Sequence, residues 1–106
     1  MDVRDLVLQM REVLGERFGA RLKTLVLFGS LARGDATEDS DIDIIVVLEG
    51  PIELGRDTRA AIDAVYPVLL SRGVFRPLHA VAADEMDYAA GRIALYREAK
   101  EHGIAA

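Results

Sequence analysis

The chain has 106 residues, 51% of them hydrophobic, with 13 Lys and Arg against 18 Asp and Glu and a formal net charge of −5. That length supports one compact domain, expected to span residues 1–106, and the acid excess argues against direct nucleic-acid binding, which depends on clustered basic side chains. Cysteine is absent, which excludes a disulfide framework and a thiolate metal site, and no apolar run approaches the roughly 20 residues that span a bilayer, so a cytoplasmic protein without anchor or signal peptide is expected.

Leu6, Met10, Val13, Leu14 and Phe18 recur at three- and four-residue steps, predicting a helix from Val3 to Phe18 that ends near Gly19. The apolar run Leu25 to Phe28 closes a short strand beginning near Leu22, with Gly29 as its terminator. Ile42 to Leu48 is rich in β-branched residues and apolar on both faces after Asp43, as suits a strand covered on two sides. Leu54, Ala61, Ile62, Val65, Leu69 and Leu70 predict a second long helix, with Pro67 as a candidate kink and Gly73 as its stop. A third strand is expected from Val74 to Ala82, with Pro77 favouring an edge position or an irregular start. Asp84 can cap a short helix holding Glu85 and Met86, and Ile93 to His102 makes a last helix before Gly103.

The chemistry-bearing segment joins the first two strands and runs from Gly29-Ser30 through Arg33 and Ser40 to Asp41-Ile42-Asp43. Side chains alternate along a strand, so Asp41 and Asp43 face the same way with α-carbons roughly 6.5 Å apart. Two carboxylates that close repel each other, and a divalent cation relieves the repulsion. Hard oxygen donors suit Mg²⁺, which commonly takes one or two carboxylates and completes its shell with water and substrate phosphates. Gly29 has no β-carbon, so the backbone there can approach a phosphate closely, and Ser30 adds a hydroxyl. The segment is not a Walker A loop, because the spacing and the lysine of that motif are missing. Nor is it an EF-hand: Ile44 stands where the loop needs Gly, and Gly50 where it needs a bidentate Glu. Arg33 is assigned either to phosphate or to a structural pair with an acid, and Ser40 to the turn entering the strand or to the ligand. Tyr66, Tyr88 and Tyr96 sit at helical positions among apolar residues, as packing side chains do.

Gly-Ser, ten intervening residues, then Asp-Ile-Asp and an apolar strand resembles the signature of the DNA polymerase β-like nucleotidyltransferase superfamily. The Gly29-Ser30-Leu31-Ala32-Arg33-Gly34 form, the first helix and the closing Leu95 to Ile104 are similar to its minimal nucleotidyltransferases, so the likeness spans most of the chain. The resemblance implies an α/β (α+β) fold, a small mixed sheet flanked by helices. It implies Mg²⁺ on Asp41 and Asp43 as the catalytic and metal residues, and a nucleotide triphosphate at Gly29, Ser30, Arg33 and Ser40. The reaction implied is transfer of AMP from ATP to a hydroxyl.

Active relatives carry a third carboxylate on a later strand, and here the corresponding stretch reads Arg76-Pro77-Leu78-His79-Ala80-Val81. His79 could supply a base or a ligand from that strand, and Asp84 or Glu85 could reach in from the turn after it. The relatives that modify antibiotics or nucleic acids add a further domain to hold the acceptor, so the acceptor site is expected from another chain or from a homodimer. Stand-alone minimal members resemble antitoxins paired with a helical HEPN ribonuclease toxin. Three functions follow: a protein adenylyltransferase antitoxin, a catalytically weak module that neutralises a HEPN toxin by binding it, and, third in order, an aminoglycoside-type nucleotidyltransferase.

Overall fold

A computed structural model describes residues 2–35, 37 and 39–106; Met1, and Ala36 and Glu38 within the Gly-Ser to Asp-Ile-Asp segment, lie outside the described residues. The chain opens with α1 (Val3–Phe18), whose first turn is capped by the Asp2 carboxylate accepting from the Arg4 and Asp5 amides. A 3-10 turn, Gly19–Arg21, leads into β1 (Leu22–Phe28). There follow α2 (Gly29–Arg33), β2 (Ile42–Leu48), α3 (Leu54–Ser71), β3 (Leu78–Asp84), α4 (Glu85–Ala89), α5 (Ala94–His102) and β4 (Ile104–Ala105).

These strands form one mixed sheet in the order β3-β2-β1-β4, with β1 antiparallel to both β2 and β4 and β2 parallel to β3. The mixed, helix-flanked α+β architecture expected from the sequence is therefore present. Alternation along β2 explains why it is apolar on both faces after Asp43. Ile42, Ile44, Val46 and Leu48 join the core formed with α1 and α3, while Ile45 and Val47 join a second, smaller core with Val26, Ala83 and Ala99, edged by Tyr88, Leu95 and Tyr96. Tyr88 and Tyr96 meet edge to face, with ring centroids 5.5 Å apart. Tyr66, expected to pack, is instead 48% exposed.

Three features differ from the sequence reading. The third strand begins at Leu78, not Val74, because Pro77 has no amide to give to a ladder and Phe75 is turned out to 80% exposure. Its edge position, read from that proline, holds. α3 runs unbroken from Leu54 to Ser71 with Pro67 inside it. The two-residue β4 was not expected at all; it exists only through its pairing with Val26 and Leu27.

Candidate active site

Strand direction assembles the site. Because β1 and β2 are antiparallel and β2 and β3 parallel, the last residue of β1 and the first residues of β2 and β3 lie at one end of the sheet. In register, Phe28 pairs with Asp43, and Asp43 pairs with His79. Gly29 comes one residue after Phe28, and Asp41 two residues before Asp43. The Gly-Ser corner, the two acids and His79 are thus neighbours, although 50 residues of chain separate Gly29 from His79.

Side chains close the arrangement. Gly29 has φ +75°, a left-handed conformation that disfavours any residue with a β-carbon, and a β-carbon placed there would stand 2.5 Å from Asp43 Oδ2. The glycine is therefore required twice, by its backbone and by the carboxylate lying over it. On the other side, His79 Nε2 lies 2.9 Å from Asp41 Oδ2.

Partial burial pushes the Asp43 carboxyl above its ordinary pKa, and the negative charge of Asp41 pushes it the same way; His79 and Arg33 act in the opposite sense. Asp43 thus carries a charge that its surroundings do not fully satisfy. Two carboxylates in mutual repulsion, both with oxygen donors, suit a hard divalent cation. Among the described residues no group of three or more His, Cys, Asp or Glu side chains is placed to hold a metal ion. A cation held by the two acids would draw its remaining ligands from elsewhere, as Mg²⁺ does when it carries phosphates.

The other predicted residues are less committed to this centre. Ser30 lies in the first turn of α2, beside Gly29. Arg33 lies near ion-pair distance of Asp35, at 3.5 Å, and Glu98, at 3.8 Å, with its side chain 41% exposed. Ser40 closes the turn into β2: its Oγ accepts from the Thr37 amide at 2.8 Å, and its own amide donates to the Thr37 carbonyl. Asp84 and Glu85 do not reach the site. Asp84 pairs with Leu48 at the far end of β2, roughly 16 Å along the strand from His79. Its carboxylate caps α4 by accepting from the Met86 and Asp87 amides. A groove between α3 and β3, lined by Leu54, Gly55, Thr58, Arg59, Ile62 and Val81, contains neither acid.

Sequence reasoning missed one charged residue, Asp57, which is 2% exposed on α3. Arg21 donates to it from both terminal nitrogens, at 3.3 and 3.1 Å, and the Glu53 amide donates at 3.0 Å. These bonds, Arg21 first, lower its pKa to about 2 against the opposing effect of burial. It is a structural acid, far in role from Asp43.

Comparison with known proteins decides the family. A model of the nucleotidyltransferase domain matches residues 7–98. The chain belongs to the nucleotidyltransferase family. Its relatives include a provisionally named protein adenylyltransferase of Methanocaldococcus jannaschii, 38% identical over 74 residues, which span 70% of this chain and 68% of that protein. The protein adenylyltransferase MntA of Thermococcus cleftensis is 42% identical over 48 residues, 45% of this chain and 46% of its own length. Such relatives place this nucleotidyltransferase among the minimal members of the family, which are transferases. A crystal structure of a provisionally named nucleotidyltransferase from Sulfolobus solfataricus shares the fold, with a TM-score of 0.51 and 22% identity, covering 97% of this chain and 83% of that one. No helix among the described residues is long and apolar enough to cross a membrane.

Proposed function

We propose that this nucleotidyltransferase moves AMP from ATP to a hydroxyl of a partner protein, and that it serves as the antitoxin of a helical HEPN-type toxin. The observation that carries the nucleotide half of this reading is Asp43 lying directly over Gly29, with Asp41 beside it. The names of the relatives support a protein acceptor.

Asp41 and Asp43 would hold Mg²⁺, which when bound supplies positive charge to the phosphates of ATP. Gly29, lacking a β-carbon, lets backbone approach the phosphates, and the Ser30 hydroxyl can donate to a phosphate oxygen. Arg33 is free to exchange its exposed, loosely held acid partners for the triphosphate. In the transfer the acceptor oxygen bonds to the α-phosphorus, the bond from that phosphorus to the α,β-bridging oxygen breaks, and pyrophosphate departs with the electron pair. The hydroxyl proton passes to solvent or to a carboxylate at the site.

One observation favours a second reading, a binding module with little catalysis. Where a third acid would stand beside Asp43, this chain has His79, held against Asp41. Incubation with α-phosphate-labelled ATP, Mg²⁺ and a HEPN-type protein separates the two. Label on the HEPN protein, lost in Asp41→Asn, supports transfer. Tight association without label supports the binding module, and neither label nor association contradicts both.

A further inference from the structure

The two edges of the sheet differ. β4 closes one edge and is two residues long, which is too short to receive another strand. β3 closes the other with seven residues, and none of Leu78 to Ala83 is a Lys, a Pro or an acid of the kind that blunts an edge. In a parallel ladder alternate residues turn both N–H and C=O towards the neighbouring strand. The Pro77 carbonyl accepts from the Ile42 amide at 2.8 Å, so odd-numbered residues of β3 face β2 and even-numbered ones face outward. The Ala82 amide follows this rule and donates to Thr58 Oγ1 on α3 at 3.0 Å. Leu78 and Ala80 are left with outward N–H and C=O groups, and neither amide has another partner among the described residues.

Beside this edge α3 and β3 border a groove of about 390 Å³, walled by the apolar side chains of Leu54, Ile62 and Val81. Phe75, shortly before β3, is 80% exposed. Charge is divided along the strand as well. Arg72, Arg76 and His79 lie at its leading end, with no acid between Asp63 and Asp84, whereas Asp84, Glu85 and Asp87 stand at its trailing end. Asp87 is already paired with Arg92, at 2.8 Å, which leaves Asp84 and Glu85.

We infer that the free edge of β3 is a homodimer interface, in which two copies pair antiparallel about a two-fold axis at His79, with Leu78 of one copy opposite Ala80 of the other. Each such pair exchanges both of its open hydrogen bonds. Antiparallel pairing sets the basic end of one strand beside the acidic end of the other, so the strand is its own electrostatic complement. The same register carries Phe75 to the level of Ala83 in the second copy, next to its groove. Two buried aromatic rings with the groove walls they cover amount to roughly 600–1,000 Å². The paired edges add to this and bring the contact to the size of a specific interface, about 1,000 Å² or more. The dimer is one continuous sheet with the Asp43 side chains of both copies on the same face, and it stands whether or not AMP is transferred.

Sedimentation equilibrium across the micromolar range tests this, and the wild-type chain is expected at twice the 11.6 kDa of one copy. Ala80→Pro removes an outward N–H that the ladder with β2 does not use, and Phe75→Ser removes the ring. Each is expected to weaken the dimer about tenfold or more. Amide hydrogen exchange locates the contact: Leu78 and Ala80 are expected to exchange slowly in the wild-type dimer and fast in Phe75→Ser, while Ala82, held by Thr58, stays slow in both. Phe75→Ser decides the matter if Ala80→Pro fails to fold.

A wild-type chain that remains a monomer overturns the inference, and so does a dimer that Phe75→Ser leaves as tight, with fast exchange at Leu78 and Ala80. A monomer in which these two amides become slow only on addition of a HEPN-type protein assigns the edge to that protein and overturns the pairing of copies.

Discussion

Asp57 and Asp43 are both carboxylates withdrawn from water, and their surroundings treat them in opposite ways. Asp57, on α3, receives two nitrogens of Arg21 and the Glu53 amide, and its pKa falls to about 2. Asp43, on β2, is pushed upward by partial burial and by Asp41. One acid is satisfied by the chain and stabilises it; the other is not, and under the proposed function it holds a cation. A buried acid with full partners belongs to the architecture, and one raised by burial and then by a neighbouring acid at a glycine corner is the candidate for chemistry.

The sharpest way to break this contrast is to remove each acid. Breaking a buried charge pair costs about 3–5 kcal/mol, and the partial exposure of Arg21 reduces this, so Asp57→Ala is expected to lose about 2–3 kcal/mol in urea denaturation. Asp43→Asn, measured in the same way without divalent cations, is expected to be as stable as wild type or more so. Equal losses at the two positions would erase the distinction.

Acid titration sharpens it next. A carboxyl whose folded pKa is about 2, against roughly 3.9 unfolded, contributes stability that is full above the unfolded value and lost as pH falls towards the folded one. Asp57 should therefore supply roughly 2 kcal/mol that disappears between about pH 4 and pH 2, and Asp57→Asn should flatten that limb of the stability curve. Asp43 has the opposite sign: its raised pKa makes the folded state lose relative stability as pH rises past the unfolded value, and a bound cation reverses that.

A loss of stability smaller than that at Asp57 is expected at Gly29. Gly29→Ala strains a position at φ +75° and drives a methyl into Asp43, costing about 1–2 kcal/mol by thermal melting. Its effect on divalent-cation binding should exceed its effect on stability, because the displaced group is the carboxylate itself. A variant that melts lower yet binds Mg²⁺ unchanged would separate Gly29 from the site.

The same two acids mark what a sequence can reveal. Asp41 stands one residue before β2 and Asp43 is its second residue, and alternation along an extended chain predicts that they share a face. Helix and strand positions also followed from local spacing: α1 and β2 begin and end where periodicity places them. Asp57 carries no such signal, since its partner Arg21 is 36 residues away and only the packing of α3 beside the 3-10 turn brings them together. β4 was hidden for the same reason, two residues being too few for a pattern and their pairing depending on β1. The start of β3 was misplaced because Val74 and Phe75 are as apolar as strand residues, while Pro77 delays the ladder. The register that sets His79 beside Asp43 is likewise a tertiary fact, which the string Leu78-His79-Ala80 does not contain.

The claim beneath all of this is that Asp41 and Asp43 jointly hold a cation and, through it, a nucleotide at the Gly29-Ser30 corner. Equilibrium binding of ATP with and without a divalent cation, in the wild-type chain and in Asp41→Asn with Asp43→Asn, tests it most directly. The expected result is ATP binding that needs the cation and vanishes in the double variant. ATP bound equally well without the cation, or by the double variant as tightly as by wild type, would contradict it.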